Sequence, residues 1–307
     1  GFFRHPSRYY LRDVEQLALE IRQDSTRDDE SLELARLERS TLRAALWTAA
    51  CAGKAIPEAP PSWLLARGEL PPPPLAEAPY REAADIARAL LEVHQAMAAP
   101  THGTTDVDVV LDAGVRLVGR VTGLGPHGLL ALECAELSGS VLLPHWIDLL
   151  AVASAATVST TLTCVGVDDK GALAVRTGAI DPTLARQALE TLAALFLAGQ
   201  RSPLCFLPRL GMRYVDKLKP GDTSSAAKAL AERNKALDGY NGSWTELKDP
   251  WFAPLLAPEP DYLGDDPATS EFCRLSSIIL GPLVATLESV PADSWLTQQR
   301  ARRGGNA

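Results

Sequence analysis

The sequence predicts a mixed α/β fold, and three observations predict it. Apolar spacing is helical as far as residue 97, alternates with period two between Val107 and Val121, and forms a helix stripe again from Leu184. Two apolar runs, residues 115–122 and 129–135, flank a turn at 123–128 that carries glycine and proline, the pattern of a strand pair. Apolar residues make up 46% of the 307 and charged residues 22%, a balance that builds a large core rather than a disordered chain. The expected order is helices, an antiparallel β-core, then helices. Residues 1–100 read as a helical part packed on the core, 101–300 as the α/β core, and 301–307 as a flexible tail.

Each element has its own signal. Pro6 suits a first helical position, and Tyr10, Val14, Leu17, Ala18 and Ile21 keep the spacing of one helix face. After a charged break at residues 24–30, a second helix places Leu34, Leu37, Leu42, Ala45, Leu46 and Ala49 inward. Pro57, Pro60 and Pro61 end it, and the proline run at 71–74 predicts a stiff extended connector. Ala83, Ile86, Leu90, Val93 and Met97 mark a third helix. Val107, Val109 and Leu111 then alternate with polar residues. The strand opening at Leu129 is apolar on both parities, which predicts cover on both faces. Residues 144–153 read as a short helix, and 161–167 with 172–176 as a hairpin around Asp168 to Gly171. Leu184, Ala188, Leu192, Leu195 and Phe196 form a helix stripe that Gly199 closes. Residues 203–219 are apolar and then basic, 224–237 are helical, and 239–267 are irregular and aromatic-rich. A last helix covers 271–287, kinked near Gly281 and Pro282.

Composition removes several function classes. A net charge of −8 is the wrong sign for an autonomous DNA-binding domain, so any nucleic-acid contact is local or shared with another subunit. The five cysteines, Cys51, Cys134, Cys164, Cys205 and Cys273, are scattered, whereas zinc and iron–sulfur sites need clustered thiolates. They read as buried small hydrophobes of a reducing, cytoplasmic compartment. His5, His94, His102, His127 and His145 form no metal-binding spacing and read as surface or capping residues. Neither a phosphate loop nor a serine nucleophile elbow is present. No run of about eighteen apolar residues offers itself to a membrane, no cofactor is implied, and a first residue of Gly suggests a fragment of a longer protein.

The strand pair carries a more specific pattern. Gly119-Arg120-Val121 followed by Thr122, with Glu133 and Ala135 on the next strand, is similar to the core of RecB-type metal-dependent nucleases. In this chain, however, Thr122 stands where the first carboxylate would be and Ala135 where the lysine would be. A two-metal mechanism needs ligands that clamp both ions, and Glu133 alone does not supply them. Further fragments extend the likeness: Phe3-Arg4-His5-Pro6-Ser7-Arg8-Tyr9-Tyr10-Leu11, Leu65-Ala66-Arg67-Gly68-Glu69-Leu70-Pro71, Gly199-Gln200 with Pro203, Leu204, Phe206, Pro208 and Arg209, and Glu271-Phe272 with Gly281-Pro282-Leu283. In this order they resemble the C-terminal domain of RecC, the gamma subunit of exodeoxyribonuclease V. That resemblance implies a restriction-endonuclease-like fold without nuclease activity, in a bacterial helicase–nuclease complex with RecB and RecD. It implies contact with RecD and with unwound DNA in double-strand-break repair and recombination.

Three constellations bear on that role. Asp106, Asp108 and Asp112 share a parity and could attract a divalent cation, although a solvated strand face is the plainer reading. Arg4, Arg8 and Arg12 recur every fourth residue, and Arg209, Arg213, Lys217 and Lys219 form a second basic cluster beside Tyr214. These are the candidates for phosphate contact or base stacking. Trp244, Trp251 and Tyr262 are the candidate partner anchors. Against the scaffold reading stands a working nuclease of the RecB/AddB type, its acids relocated to Glu133, Asp106 and Asp108. A free-standing DNA-binding module is the third reading.

Overall fold

The computed structural model describes residues 1–19, 33–97, 103–112, 114–156, 160–204, 206–219, 223–238, 246, 249–252, 255 and 270–304. At its centre is a six-stranded sheet in sequential order: β1 Gly103–Val110, β2 Arg116–Gly125, β3 Gly128–Glu136, β4 Thr160–Val167, β5 Leu173–Ile180 and β6 Glu288–Val290. The α/β class holds, but the sheet is mixed rather than antiparallel. β3 and β4 run parallel, joined across one face by α5 (Gly139–Ala156). A parallel pair needs such a crossover, because a tight turn returns the chain antiparallel. The 123–128 turn is tighter than its composition suggests: β2 runs on to Gly125 and β3 opens at Gly128, leaving Pro126 and His127 between them. Gly128 has φ +99°, and a Cβ there would collide with the carbonyl of Thr161.

Helices cover both faces. On one side α5, α6 (Pro182–Gly199), α7 (Pro208–Val215) and α9 (Glu271–Thr286) bury the largest core. On the other lie α2 (Arg36–Cys51), α4 (Glu77–Met97) and α10 (Ala292–Gly304). The apolar run of β3 divides between them as its parities require. Leu129 and Ala131 enter the α5 side, while Leu130, Leu132 and Cys134 pack with Leu90, Val93 and Trp295. α3 (Ser62–Ala66) packs Leu64 against α2 and α4, and α8 (Thr223–Asp238) adds Ala229 to the main core.

Several expectations need correction. The first helix does not reach Ala18. α1 (Pro6–Tyr9) passes into a wider turn, Tyr10–Val14, and Gln16 takes φ +57° while Leu17 N–H bonds the Leu11 carbonyl at 2.8 Å. That is a Schellman-type stop made with glutamine where glycine is usual. Ile21 lies outside the described residues. Leu37 is 78% exposed, since α2 turns Leu42, Leu46 and Ala50 inward instead. The proline run is a turn, with Leu75 N–H on the Pro72 carbonyl, rather than an extended connector. α5 begins five residues before Pro144 and carries it inside. It is also long and apolar enough, by length and composition, to cross a membrane, yet half of it is buried inside this core. The α6 stripe is wider than expected: Leu192 is buried and Ala188, Leu195 and Phe196 pack against the core as read, but Ala185 and Leu189 join them and Leu184 is 58% exposed. α10 was not expected, and its backbone continues to Gly304, into the segment read as a tail.

Candidate functional site

Glu133 leaves β3 on the α5 side, in line with Leu129 and Ala131. One of its oxygens lies 2.7 Å from Nε2 of His145, on the second turn of α5, and both side chains are partly buried. The helix crossover puts them together, because α5 must pack on the strand it leaves. Asp148, one turn further along α5, is half-buried, and that burial pushes its carboxyl above the ordinary range. Burial and the Glu133 charge also push the Cys164 thiol on β4 up to about 12, which keeps it protonated. Thr122 does not join this group. It is exposed on β2 and registers with Thr104 of β1, while its neighbour Val121 enters the core. The β2–β3 ladder contains two register pairs, Leu124 with Leu129 and Gly125 with Gly128, so the strands part before Glu133. Ala135 stays on β3 and contributes no charge. Among the described residues, no three His, Cys, Asp or Glu side chains are grouped to hold a metal ion.

The aspartates of β1 meet arginines. Asp106 pairs with Arg120 directly across the ladder at 2.9 Å, and Asp108 with Arg116 at 2.6 Å. The Arg116 hydrogen bonds hold the Asp108 carboxyl below its ordinary range. Asp112, beyond the strand end, lies 3.3 Å from Arg186. Their shared parity therefore makes an ion-paired solvent face.

The second basic cluster is partly consumed. Arg213 bonds Asp169 at 2.8 Å and Glu136 at 3.2 Å. Arg209 is partly buried, its Nε 3.5 Å from the Ser140 hydroxyl. Tyr214 cannot stack a base: it is buried, edge-on to Phe272. Lys217 and Lys219 are exposed. In the first cluster Arg4 is exposed, Arg12 turns to Asp13 at 2.8 Å, and the three arginines share no single regular helix. Arg8 stands over the ring of Trp251, 5.7 Å from its centroid. One residue read as a DNA contact thus meets one read as a partner anchor. Trp244 and Tyr262 lie outside the described residues.

That contact belongs to a clasp which sequence reasoning missed. His5 Nδ1 accepts the Arg8 N–H at 3.2 Å and caps α1, and its Nε2 lies 3.3 Å from an Asp249 oxygen. The capping role read for this histidine holds. The His5 ring stacks on Phe252 with centroids 4.4 Å apart. Glu246, buried nearby, accepts the Arg209 N–H at 3.0 Å and the Leu210 N–H at 2.8 Å. It thereby caps the first turn of α7, whose own N-cap residue, Leu207, has no side-chain acceptor. Burial pushes the Glu246 carboxyl up to about 7, and the backbone bonds pull the other way. The fragment from Phe3 to Leu11 was the available sign for His5. Nothing in the local sequence marks Glu246 as its neighbour.

The family model described as the RecC C-terminal domain matches residues 1–219. No curated protein matches the chain at a significant level. The match takes in β1 to β5, the Glu133–His145 pair and the basic cluster through Lys219. The family is that of a gamma-subunit domain of exodeoxyribonuclease V, whose complex contains other RecBCD subunits. With well over half of its length matched, the chain belongs to the RecC C-terminal domain family.

Proposed function

We propose that this domain is a non-catalytic scaffold of an exodeoxyribonuclease V complex, with a restriction-endonuclease-like core that has lost its chemistry. The observation that carries the reading is the engagement of Glu133 by His145 at 2.7 Å, with Ala135 in place of a lysine and Thr122 exposed on another strand. The acids that a relocated nuclease would use are likewise matched, Asp106 by Arg120 and Asp108 by Arg116. The domain works with RecB and RecD in the bacterial cytoplasm. It divides into a helical part at 1–100 and the core that follows, and it needs no cofactor. Trp251, Trp244 and Tyr262 are the residues offered to RecD, on residue type. Arg4, Arg8, Arg209, Arg213, Lys217 and Lys219 supply the DNA-facing charge, with Lys217 and Lys219 the foremost pair.

Incubating the pure chain with labelled duplex and single-stranded DNA in Mg²⁺ or Mn²⁺ tests the central claim. No cleavage is expected. Cleavage that disappears in Glu133→Ala would overturn it in favour of the nuclease. For the partner face, Trp244→Ala with Trp251→Ala should weaken capture of RecD while the fold persists, and unchanged capture removes that assignment.

A further inference from the structure

We propose that the cleft between the sheet and α10 takes a single base of an unwound DNA strand. The cleft has a volume of about 700 Å³, within the range of small-ligand sites. On its floor Thr163 and Thr177 face each other across the β4–β5 ladder, their hydroxyls bonded at 2.9 Å and Thr163 only 5% exposed. Met97 at the end of α4, Val290 of β6 and Trp295 of α10 supply apolar walls. His127 from the β2–β3 turn, Thr161 of β4, and Gln298 and Gln299 of α10 add exposed or half-buried polar groups.

The lining selects the occupant. Among the described residues no Asp, Glu, Lys or Arg faces the cleft, so the group that enters is uncharged. The side chains of His127, Thr161, Gln298 and Gln299 make no hydrogen bond to another described residue. Together they offer hydroxyl, amide and imidazole groups, donors and acceptors both. An apolar side chain of a partner would leave them unpaired. A base brings apolar faces for the walls and a polar edge for these groups. A peptide strand, by contrast, finds no open edge to join. Thr161 is already paired with Ala179, Thr163 with Thr177, and Thr177 with Glu288 on its other side. The sequence of α10 then runs on from Gln299 into Arg300, Arg302 and Arg303. A neutral cleft followed by arginines suits a ligand whose base is uncharged and whose phosphates are not. The inference rests on the reading of this domain as DNA-facing, and adds a site across the sheet from Lys217 and Lys219, which follow α7.

Fluorescence anisotropy on the 307-residue chain tests it, with short single strands of thymidine, deoxyadenosine or deoxycytidine set against an abasic strand of equal length. At least one base-bearing strand should bind about tenfold tighter than the abasic one. Gln298→Ala with Gln299→Ala, on the surface of a helix that alanine favours, should erase most of that advantage and leave abasic binding unchanged. Intact and abasic strands that bind equally, or a double variant that keeps the advantage, overturn the site. Failure of every strand to bind overturns the DNA-facing reading with it. A free nucleoside that competes as well as the strand overturns the strand as the source of the base. Should the double variant fail to fold, photocrosslinking of the parent to a strand carrying 5-iodouracil decides. Adducts must fall on Met97, His127 or Trp295, and adducts confined to other residues refute the proposal.

Discussion

The β1–β2 ribbon and the clasp around Glu246 handle acidic side chains in opposite ways. On the ribbon, Asp106 and Asp108 meet Arg120 and Arg116 in water, and register alone brings them together. At the clasp, Glu246 is buried, and its partners are backbone N–H groups 36 and 37 residues earlier. An exposed pair exchanges hydration for a weak attraction, so it adds little. A buried carboxylate that closes a helix end replaces hydration that the helix has already lost, so its removal leaves orphan donors. The contrast teaches that the visible charge pattern of this chain marks its surface, while its consequential polar contacts lie where the sequence shows no pattern.

Breaking the clasp should give the largest effect. Phe252 is buried and stacked on His5, and Phe252→Ala should destabilise the chain by about 3–5 kcal/mol in urea unfolding, as aromatic truncations in cores do. A loss below about 1 kcal/mol would mean that the segment only rests on the surface. The pH dependence sharpens the same point. The Glu246 pKa is raised in the folded state from 4.5 to about 7. The neutral form is therefore favoured by folding. That contribution is complete below about pH 4.5 and is lost as pH rises through about 7, a span worth about 3 kcal/mol. Glu246→Gln carries no proton to lose, so its stability relative to the parent should climb between pH 5 and pH 8. A constant difference across that range would refute the assignment.

The legible part of the fold is the part governed by short-range alternation. Leu129 to Leu132 announced a strand covered on both faces, and the Asp168 to Gly171 turn announced the β4–β5 hairpin. The parallel β3–β4 pairing was hidden because α5 carries Pro144, which reads as a helix start when it lies inside one. The site was half legible. Glu133 stood out by its place on the strand, but His145 acquires meaning only when α5 folds back over β3. Tyr214 was misjudged because an aromatic among cations looks like a stacking platform until α9 buries it against Phe272. The clasp lies beyond the family match, which ends at residue 219, although the fragment that receives it, His5 to Arg8, lies within the match.

Intermediate effects belong to the Glu133–His145 pair. His145→Ala removes one partly shielded hydrogen bond and should lower stability by about 1 kcal/mol, and His145→Gln should recover part of it. A loss of several kcal/mol would place this pair among the consequential contacts and weaken the contrast drawn above.

The smallest effect is expected on the ribbon, and it tests the contrast from its other side. Asp106→Asn removes the carboxylate that Arg120 contacts across the ladder, yet both side chains stay largely in water. Arg120 can rehydrate at once, and β1 keeps its backbone ladder to β2 from Gly103 to Val110. The melting temperature should therefore stay within about 1 °C of the parent, and adding salt to the parent should do as little. If instead Asp106→Asn with Asp108→Asn lowers melting by many degrees, the ribbon's acids are structural. In that case β1, the edge strand of the sheet, needs them to hold its place.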